Sequence, residues 1–250
     1  MTIKLYFLGT GGWIGPASRT YSSIALKVNE NIYLLDVGEF SFKNFQKTRL
    51  NPLNITAIFL THTHGDHILS LPTYVINLGA LGYERSLKIV APKWTEEAIH
   101  SLLDLITNLK VKVKVKLLEG YDGELAFDNE EVKVWSYRAK HIEDSLMYKI
   151  HVKNKLTIVY TGDTAPNKTL EEIVKDADVL IHEATFMWGF EKMAHSAGHS
   201  TIHDAIKLAL KMNIKKLILT HIGFTLKLPR SFKVGNTVVY VPNELDVISL

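Results

Sequence analysis

Residues 57–71 read AIFLTHTHGDHILSL, an apolar stretch that runs into His62, His64, Asp66 and His67 within six positions. No other stretch constrains the fold as strongly. Ala57–Thr61 reads as a strand. His62 and His64, two apart on extended chain, face the same way, Gly65 permits a sharp turn, and Asp66 can open a helix that points His67 elsewhere. The spacing offers one metal the two histidines and a second metal the Asp66–His67 pair. Three imidazoles and a carboxylate gathered without a cation would be hard to satisfy with hydrogen bonds, so a plain polar turn is the weaker reading.

Alternation and β-branched enrichment mark about twelve strands between Ile3 and Val241. Helical spacing predicts helices over Phe40–Arg49, Asp66–Leu78, Thr95–Leu109, Lys168–Asp176 and Thr201–Met212. Meander-like strand runs with helices between them predict two sheets packed face to face with helices outside. Hydrophobic segments recur evenly without a linker or repeat, so residues 1–250 read as a single domain, large enough to fold by burial alone. The run KVKVKVKLLE from Lys110 puts Lys110, Lys112, Lys114 and Lys116 on one face of a strand, Val111–Leu118. Such a row protects an exposed edge against pairing or, less commonly, tracks phosphates.

The chain has no cysteine, so any metal site must be built from His, Asp and Glu. Its opening, MTIKLYFLGTGG, alternates like a strand rather than a leader, and no later apolar run is long enough to span a bilayer. A soluble cytoplasmic protein with no membrane partner is expected. A net charge of +3 is compatible with a polyanionic substrate without requiring one.

More candidate groups stand at or near strand ends: His141 in YRAKHIEDS, Asp163 in IVYTGDT, His182 and Glu183 in VLIHEATF, His199 in AGHST and His221 in LILTHIG. Strand ends converge on one edge of a sheet, where groups distant in sequence can meet. The H-x-H-x-D-H motif after a hydrophobic strand, followed in order by a lone His, an Asp and a late His, resembles the metallo-β-lactamase superfamily. That resemblance implies an αββα sandwich, an α+β fold of four layers. It also implies a metal pair at one edge. His62, His64 and His141 would hold one ion, Asp66, His67 and His221 the other, and Asp163 would bridge them. The all-N/O set suits zinc, with manganese or iron as alternatives.

Within the superfamily, the H-E-A-T and G-H-S-T segments and the opening FLGTGGWIGPASRTYSSIAL are similar to ribonuclease Z, the tRNA 3′-processing endonucleases. The resemblance implies attack on phosphorus by metal-activated hydroxide. Asp66 would act in catalysis and His199 as general acid, its ring held by Glu183. Arg19, Ser200 and Thr201 are candidate substrate contacts, and Trp13 and Tyr21 are either stacking platforms or packing residues. His182 reads as a core residue and His195 as a loop residue. A homodimer is implied by the resemblance alone.

The substrate stays open. GPASRTY keeps Pro16 and Arg19 of the family's P-x-K-x-R-N loop but lacks its Lys and Asn, and HIGFTLKLPR lacks the family's residues after the late His. His141 and Asp163 stand only 22 residues apart, which leaves no room for the tRNA-clasping arm many relatives insert there. The expected activity is removal of 3′ trailers from tRNA precursors. One alternative is a compact phosphodiesterase for small or cyclic nucleotide diesters, and another, of a different class, is a non-catalytic RNA-binding member of the fold.

Overall fold

The computed structural model of the chain describes residues 1–104, 113–153, 155–224 and 228–250. The first sheet places β1 (Ile3–Gly9), β2 (Ser23–Val28), β3 (Asn31–Leu35), β4 (Ile55–Phe59), β5 (Leu87–Pro92) and β6 (Val115–Gly120) side by side in chain order. The second holds β7 (Glu124–Asp128), β8 (Val132–Arg138), β9 (Leu146–Val152), β10 (Leu156–Tyr160), β11 (Val179–Glu183), β12 (Lys216–Thr220), β13 (Ser231–Val234) and β14 (Thr237–Tyr240), in the order β13-β14-β12-β11-β10-β9-β8-β7. The last strand, β15 (Val247–Ser249), returns to the first sheet beside β1.

Both sheets are mixed in the same way. An antiparallel meander, β1-β2-β3 or β7-β8-β9-β10, passes into a parallel run, β3-β4-β5-β6 or β10-β11-β12. Parallel strands need crossovers, and the helices that supply them cover the outer faces. These are α1 (Ser41–Lys47), α2 (Gly65–Ile68), α3 (Leu71–Ala80) and α4 (Glu96–Asp104) in the first half, and α5 (Lys168–Ile173), α6 (Glu191–Ser196) and α7 (Ile202–Lys211) in the second.

The apolar residues separate by strand parity into three cores. Leu5, Phe7, Leu26, Phe59, Tyr148, Ile181 and Ile218 meet between the sheets. Ile58, Leu60, Tyr74 and Ile89 pack under the first helical layer, and Leu180, Leu217, Leu219 and Ala205 under the second. Three cores between four layers make the αββα sandwich that the pattern predicted. Truncating any of these buried Leu or Ile side chains to Ala costs ~2–5 kcal/mol.

The expected helix Asp66–Leu78 is broken in two, because Ser70 N–H donates to the Val37 carbonyl and Pro72, in the first turn of α3, has no N–H to continue the ladder. Of the lysine row, Lys114 and Lys116 are exposed at β6, the edge of its sheet, as edge protection requires; Lys110 and Lys112 lie outside the described residues. The sequence reading missed β7, β13, β15 and α6. Three are short strands at or next to a sheet edge, and α6 has six residues.

Candidate metal centre

The parallel strands of both halves end at one edge of the sandwich, and the candidate groups follow those ends. After β4, Thr61 N–H donates to Asp36 Oδ1 at 2.7 Å, which turns the chain into His62 and leads to His64 at the N-terminal end of α2. Asp66 and His67 occupy the first turn of α2, both buried. His141 follows β8, Asp163 follows β10, Glu183 ends β11 and His221 follows β12. Gly12 lies flat against the His221 ring, where a Cβ would stand 2.5 Å from Cε1, so only glycine fits there.

Two sets of donors form around one oxygen. His62 Nε2, His64 Nδ1 and His141 Nε2 converge, with His64 Nδ1 3.0 Å from the first and 3.2 Å from the last. On the other side, His221 Nε2 lies 3.1 Å from Asp66 Oδ2 and His67 Nε2 3.6 Å from it. Asp163 Oδ2 stands between the sets, 3.3 Å from His67 and His221 Nε2, 3.7 Å from His62 and 3.9 Å from His141. Asp66 Oδ1, His67 Nε2 and Asp163 Oδ1 are buried without a hydrogen-bond partner. Buried polar atoms are normally satisfied, so these orphans and the all-N/O donor set fit a divalent cation.

The far ring nitrogens show how the imidazoles are aimed. His67 Nδ1–H donates to Asp36 Oδ2 at 2.8 Å and His141 Nδ1–H to the Gly198 carbonyl at 3.0 Å. Thr61 Oγ1 meets His62 Nδ1 at 3.0 Å, and Thr185 Oγ1 meets His221 Nδ1 at 2.8 Å. Each contact fixes a tautomer and leaves Nε2 for the cluster. Gly198, at φ +76°, passes so close to His141 that a Cβ would sit 2.9 Å from its Cα.

Electrostatics follow the same division. Burial, with positive neighbours, holds His62 well below the usual histidine range and lowers His64 and His141, so all three present neutral imidazoles. Burial would raise Asp163, but His221, His67 and His62 outweigh it and hold it well below the carboxylate range; Asp66 is lowered by His221 and His67 against its burial. His67 runs the other way, pushed well up by Asp163 and Asp36 against its burial. The two aspartates therefore keep their charge.

Beside this cluster, His199 Nδ1 lies 3.0 Å from Glu183 Oε1. Glu183 is fully buried and also accepts from Thr164 N, Ser200 N and Thr185 Oγ1 at 2.7, 3.0 and 2.5 Å. Burial lowers the His199 pKa, but the Glu183 hydrogen bond and charge, with Asp163 behind, raise it to about 9. His199 also stands near Asp163 and His221, close enough to share a cation. Its Nδ1 already faces the Glu183 carboxylate, so the geometry suits an acid held beside the cluster.

Asp36 and Thr185 are the positioning residues that sequence reasoning missed. Asp36 also accepts from Tyr160 Oη at 2.7 Å, and it follows a strand in YLLDVGE just as Asp163 does in VYTGD. That parallel was the available signal. The three candidate substrate contacts all have partners within the protein. Arg19 donates to Thr10 Oγ1, to the Pro242 carbonyl at 2.9 Å and to Asn243 Oδ1 at 3.3 Å, which commits its guanidinium to the protein. Ser200 is fully buried with its hydroxyl on the Thr164 carbonyl at 2.7 Å, and Thr201 caps α7 in a reciprocal pair with Asp204. His182 is a buried residue whose Nδ1–H donates to the Glu183 carbonyl, and His195 lies on α6 with Nε2 2.9 Å from Asp204.

Residues 35–222 match the model of the β-lactamase superfamily domain. Ribonuclease Z of Methanocaldococcus jannaschii is 32% identical over 273 residues, spanning 88% of this chain and 86% of that protein. Ribonuclease Z of Lactobacillus johnsonii is 30% identical over 275, spanning 88% of each. Both alignments are longer than this 250-residue chain, so those relatives carry segments it lacks. The crystal structure of human tRNase Z, short form, superposes with a TM-score of 0.84 at 25% identity over 98% of both chains. A strand-borne cluster of this composition, on this fold and with these relatives, places the chain in the β-lactamase superfamily and in its ribonuclease Z family.

Proposed function

We propose that residues 1–250 form one hydrolase domain, a two-zinc phosphodiesterase that removes 3′ trailers from tRNA precursors. Manganese or iron would fit the same donors. His62, His64 and His141 would hold one ion and Asp66, His67 and His221 the other, with Asp163 shared. The observation that carries this is the position of Asp163 Oδ2 between four imidazole nitrogens drawn from both sets. A bound metal pair supplies Lewis acidity toward a phosphate oxygen and makes water a nucleophile near neutral pH.

The chain's own residues do the proton work. Asp66 Oδ1, a carboxylate oxygen without a partner, would accept the proton of the attacking water. Glu183 keeps His199 protonated, and His199 delivers that proton to the departing ribose oxygen, a contribution of ~10²–10⁴-fold. The family relationship further supports a cytoplasmic homodimer.

A second reading, a compact phosphodiesterase for small or cyclic nucleotide diesters, is favoured by the 22-residue connection between His141 and Asp163. One assay separates the two. Zinc- or manganese-loaded protein is given a tRNA precursor with a 3′ trailer, 2′,3′-cyclic nucleotides and bis(p-nitrophenyl) phosphate, beside His199→Ala and Asp66→Ala. Cleavage at the tRNA 3′ end that both variants lose supports the endonuclease. Activity on the small diesters alone supports the second reading, and none on any substrate returns the chain to a non-catalytic RNA binder.

A further inference from the structure

The candidate centre opens into a cleft of about 700 Å³ whose walls differ sharply from its floor. The floor is polar: His64, Asp66, Asp163, His199 and His221. The walls are apolar, with Trp13 and Ile14 from the β1–β2 connection on the first sheet and Phe186, Met187, Phe190 and Met193 from the segment after β11 on the second. No Lys or Arg lines it among the described residues. Trp13 is 56% exposed, Ile14 91%, Phe190 50% and Met193 57%. Large apolar side chains left this open around a polar floor mark a place where something binds.

The Trp13 platform is held from below. Its ring lies 5.7 Å from that of His64, and the start of α2 at Gly65 passes beneath it. The ends of its connection are tied down as well: Glu244 Oε1 accepts from Thr10 N, Thr10 Oγ1 and Thr20 N at 3.1, 2.9 and 3.0 Å, and Arg19 is committed as described above. An aromatic face fixed in place one ring away from the candidate ligand His64 costs little ordering on binding.

We propose that this cleft is a nucleobase subsite, in which the base of an unpaired nucleotide adjoining the scissile phosphate stacks on Trp13 against the Phe190 and Met193 wall. Every base has a π face, so such a platform accepts bases with little sequence preference. Walls that show no cation among the described residues are not built to track a phosphate backbone, which depends on Lys and Arg. The occupant is thus a nucleoside unit rather than a run of duplex. The inference rests on the phosphodiesterase reading and deepens it, because the substrate class becomes diesters bearing an unpaired base, whether at the end of an RNA or in a small nucleotide.

The test is a cycle on metal-loaded, full-length protein. kcat/KM is measured for a short single-stranded RNA and for the same RNA with an abasic ribose at each nucleotide flanking the cleaved bond, using wild type, Trp13→Ala, Trp13→Phe and Phe190→Ala. Trp13→Ala should lower kcat/KM roughly 5- to 150-fold on the normal RNA, the range for losing one base–aromatic stack. It should have little effect on the abasic RNA, and Trp13→Phe should restore most of the loss. Equal effects on both RNAs, or none on either, overturn the subsite while leaving the phosphodiesterase reading intact. Wild type that cleaves neither RNA nor any small diester removes that reading and the subsite with it. Conversion of a dimer to a monomer by Trp13→Ala or Phe190→Ala, read by sedimentation, would make the patch a contact between copies and also overturn it.

Discussion

Replacing Glu183 by Gln isolates the proton on His199 from the rest of the centre. Burial pulls the His199 pKa down, and the Glu183 hydrogen bond and charge, joined by Asp163, outweigh it to reach about 9. Without the carboxylate charge the imidazole returns to its ordinary 6.5 or below. At pH 8 a group of pKa 9 is about nine-tenths protonated and one of pKa 6.5 about 3% protonated, so a step that needs the proton slows roughly 30-fold. At pH 6 the deficit from this cause shrinks to less than about twofold. The assay is kcat against pH for metal-loaded wild type and variant. Bound cations lower the His199 pKa in both proteins, so both profiles move to lower pH and the readout is the difference in shape between them. Two parallel profiles, with the variant lowered by one factor at every pH, would refute the acid role of His199.

The same shift is linked to stability. The folded pKa lies above the unfolded one, so the contribution of the proton is complete below about 6.5 and is lost as pH rises through about 9. The His199 side chain is 16% exposed, so little solvent screening discounts the effect, and its upper figure is about 3 kcal/mol. Urea midpoints should therefore separate wild type from Glu183→Gln more at pH 6 than at pH 10. The residual gap at pH 10 reports the Ser200 and Thr185 donors that an amide nitrogen cannot satisfy.

Chelation should lower Tm by roughly 5–10 °C, since metal at a hundredfold excess over Kd stabilises by ~2.7 kcal/mol and a domain of this size shifts ~2–4 °C per kcal/mol; an unchanged Tm would argue against a resident cation. Asp36→Asn keeps every candidate ligand but weakens the hold on His67 Nδ1, and should cut metal affinity ~10–100-fold in competition with a chromophoric chelator. Arg19→Ala removes hydrogen bonds to Thr10, Pro242 and Asn243, so it should lower stability by ~1–3 kcal/mol while leaving KM unchanged. A raised KM at full stability would restore Arg19 as a substrate contact.

Much of the centre was legible because its residues come in short motifs after strong strands. THTHGDH reads as a cluster without any tertiary information, and the distant His141, Asp163 and His221 can be paired with it because each follows an apolar run. Asp36 escaped because a single Asp after a strand has no local partner; its role depends on His67 and Tyr160, which only folding brings to it. The internal partners of Arg19, Ser200 and Thr201 escaped for the complementary reason. A loop Arg and two hydroxyls beside a catalytic motif look available in sequence, whereas Arg19 meets the C-terminal segment and Ser200 and Thr201 are consumed by a buried carbonyl and a helix cap. The break after Ile68 depended on a carbonyl from the neighbouring Val37 segment, which helical periodicity does not encode.

The centre joins the two halves of the fold, and this explains why its rings are aimed by protein groups. Set one draws on both sheets, His62 and His64 from the first and His141 from the second; set two does the same with Asp66 and His67 against His221. Asp163 comes from the second sheet and stands between the sets. A small slide of one sheet over the other would pull both sets apart. Leu5, Phe7, Phe59 and Ile181 between the sheets resist that slide, because repacking them costs several kcal/mol. Asp36, Thr185 and the Gly198 carbonyl then remove the remaining freedom of the imidazoles. The donor geometry is therefore fixed by the folded chain, so chelated protein should keep its sheets and, on reloading, recover activity without a refolding phase.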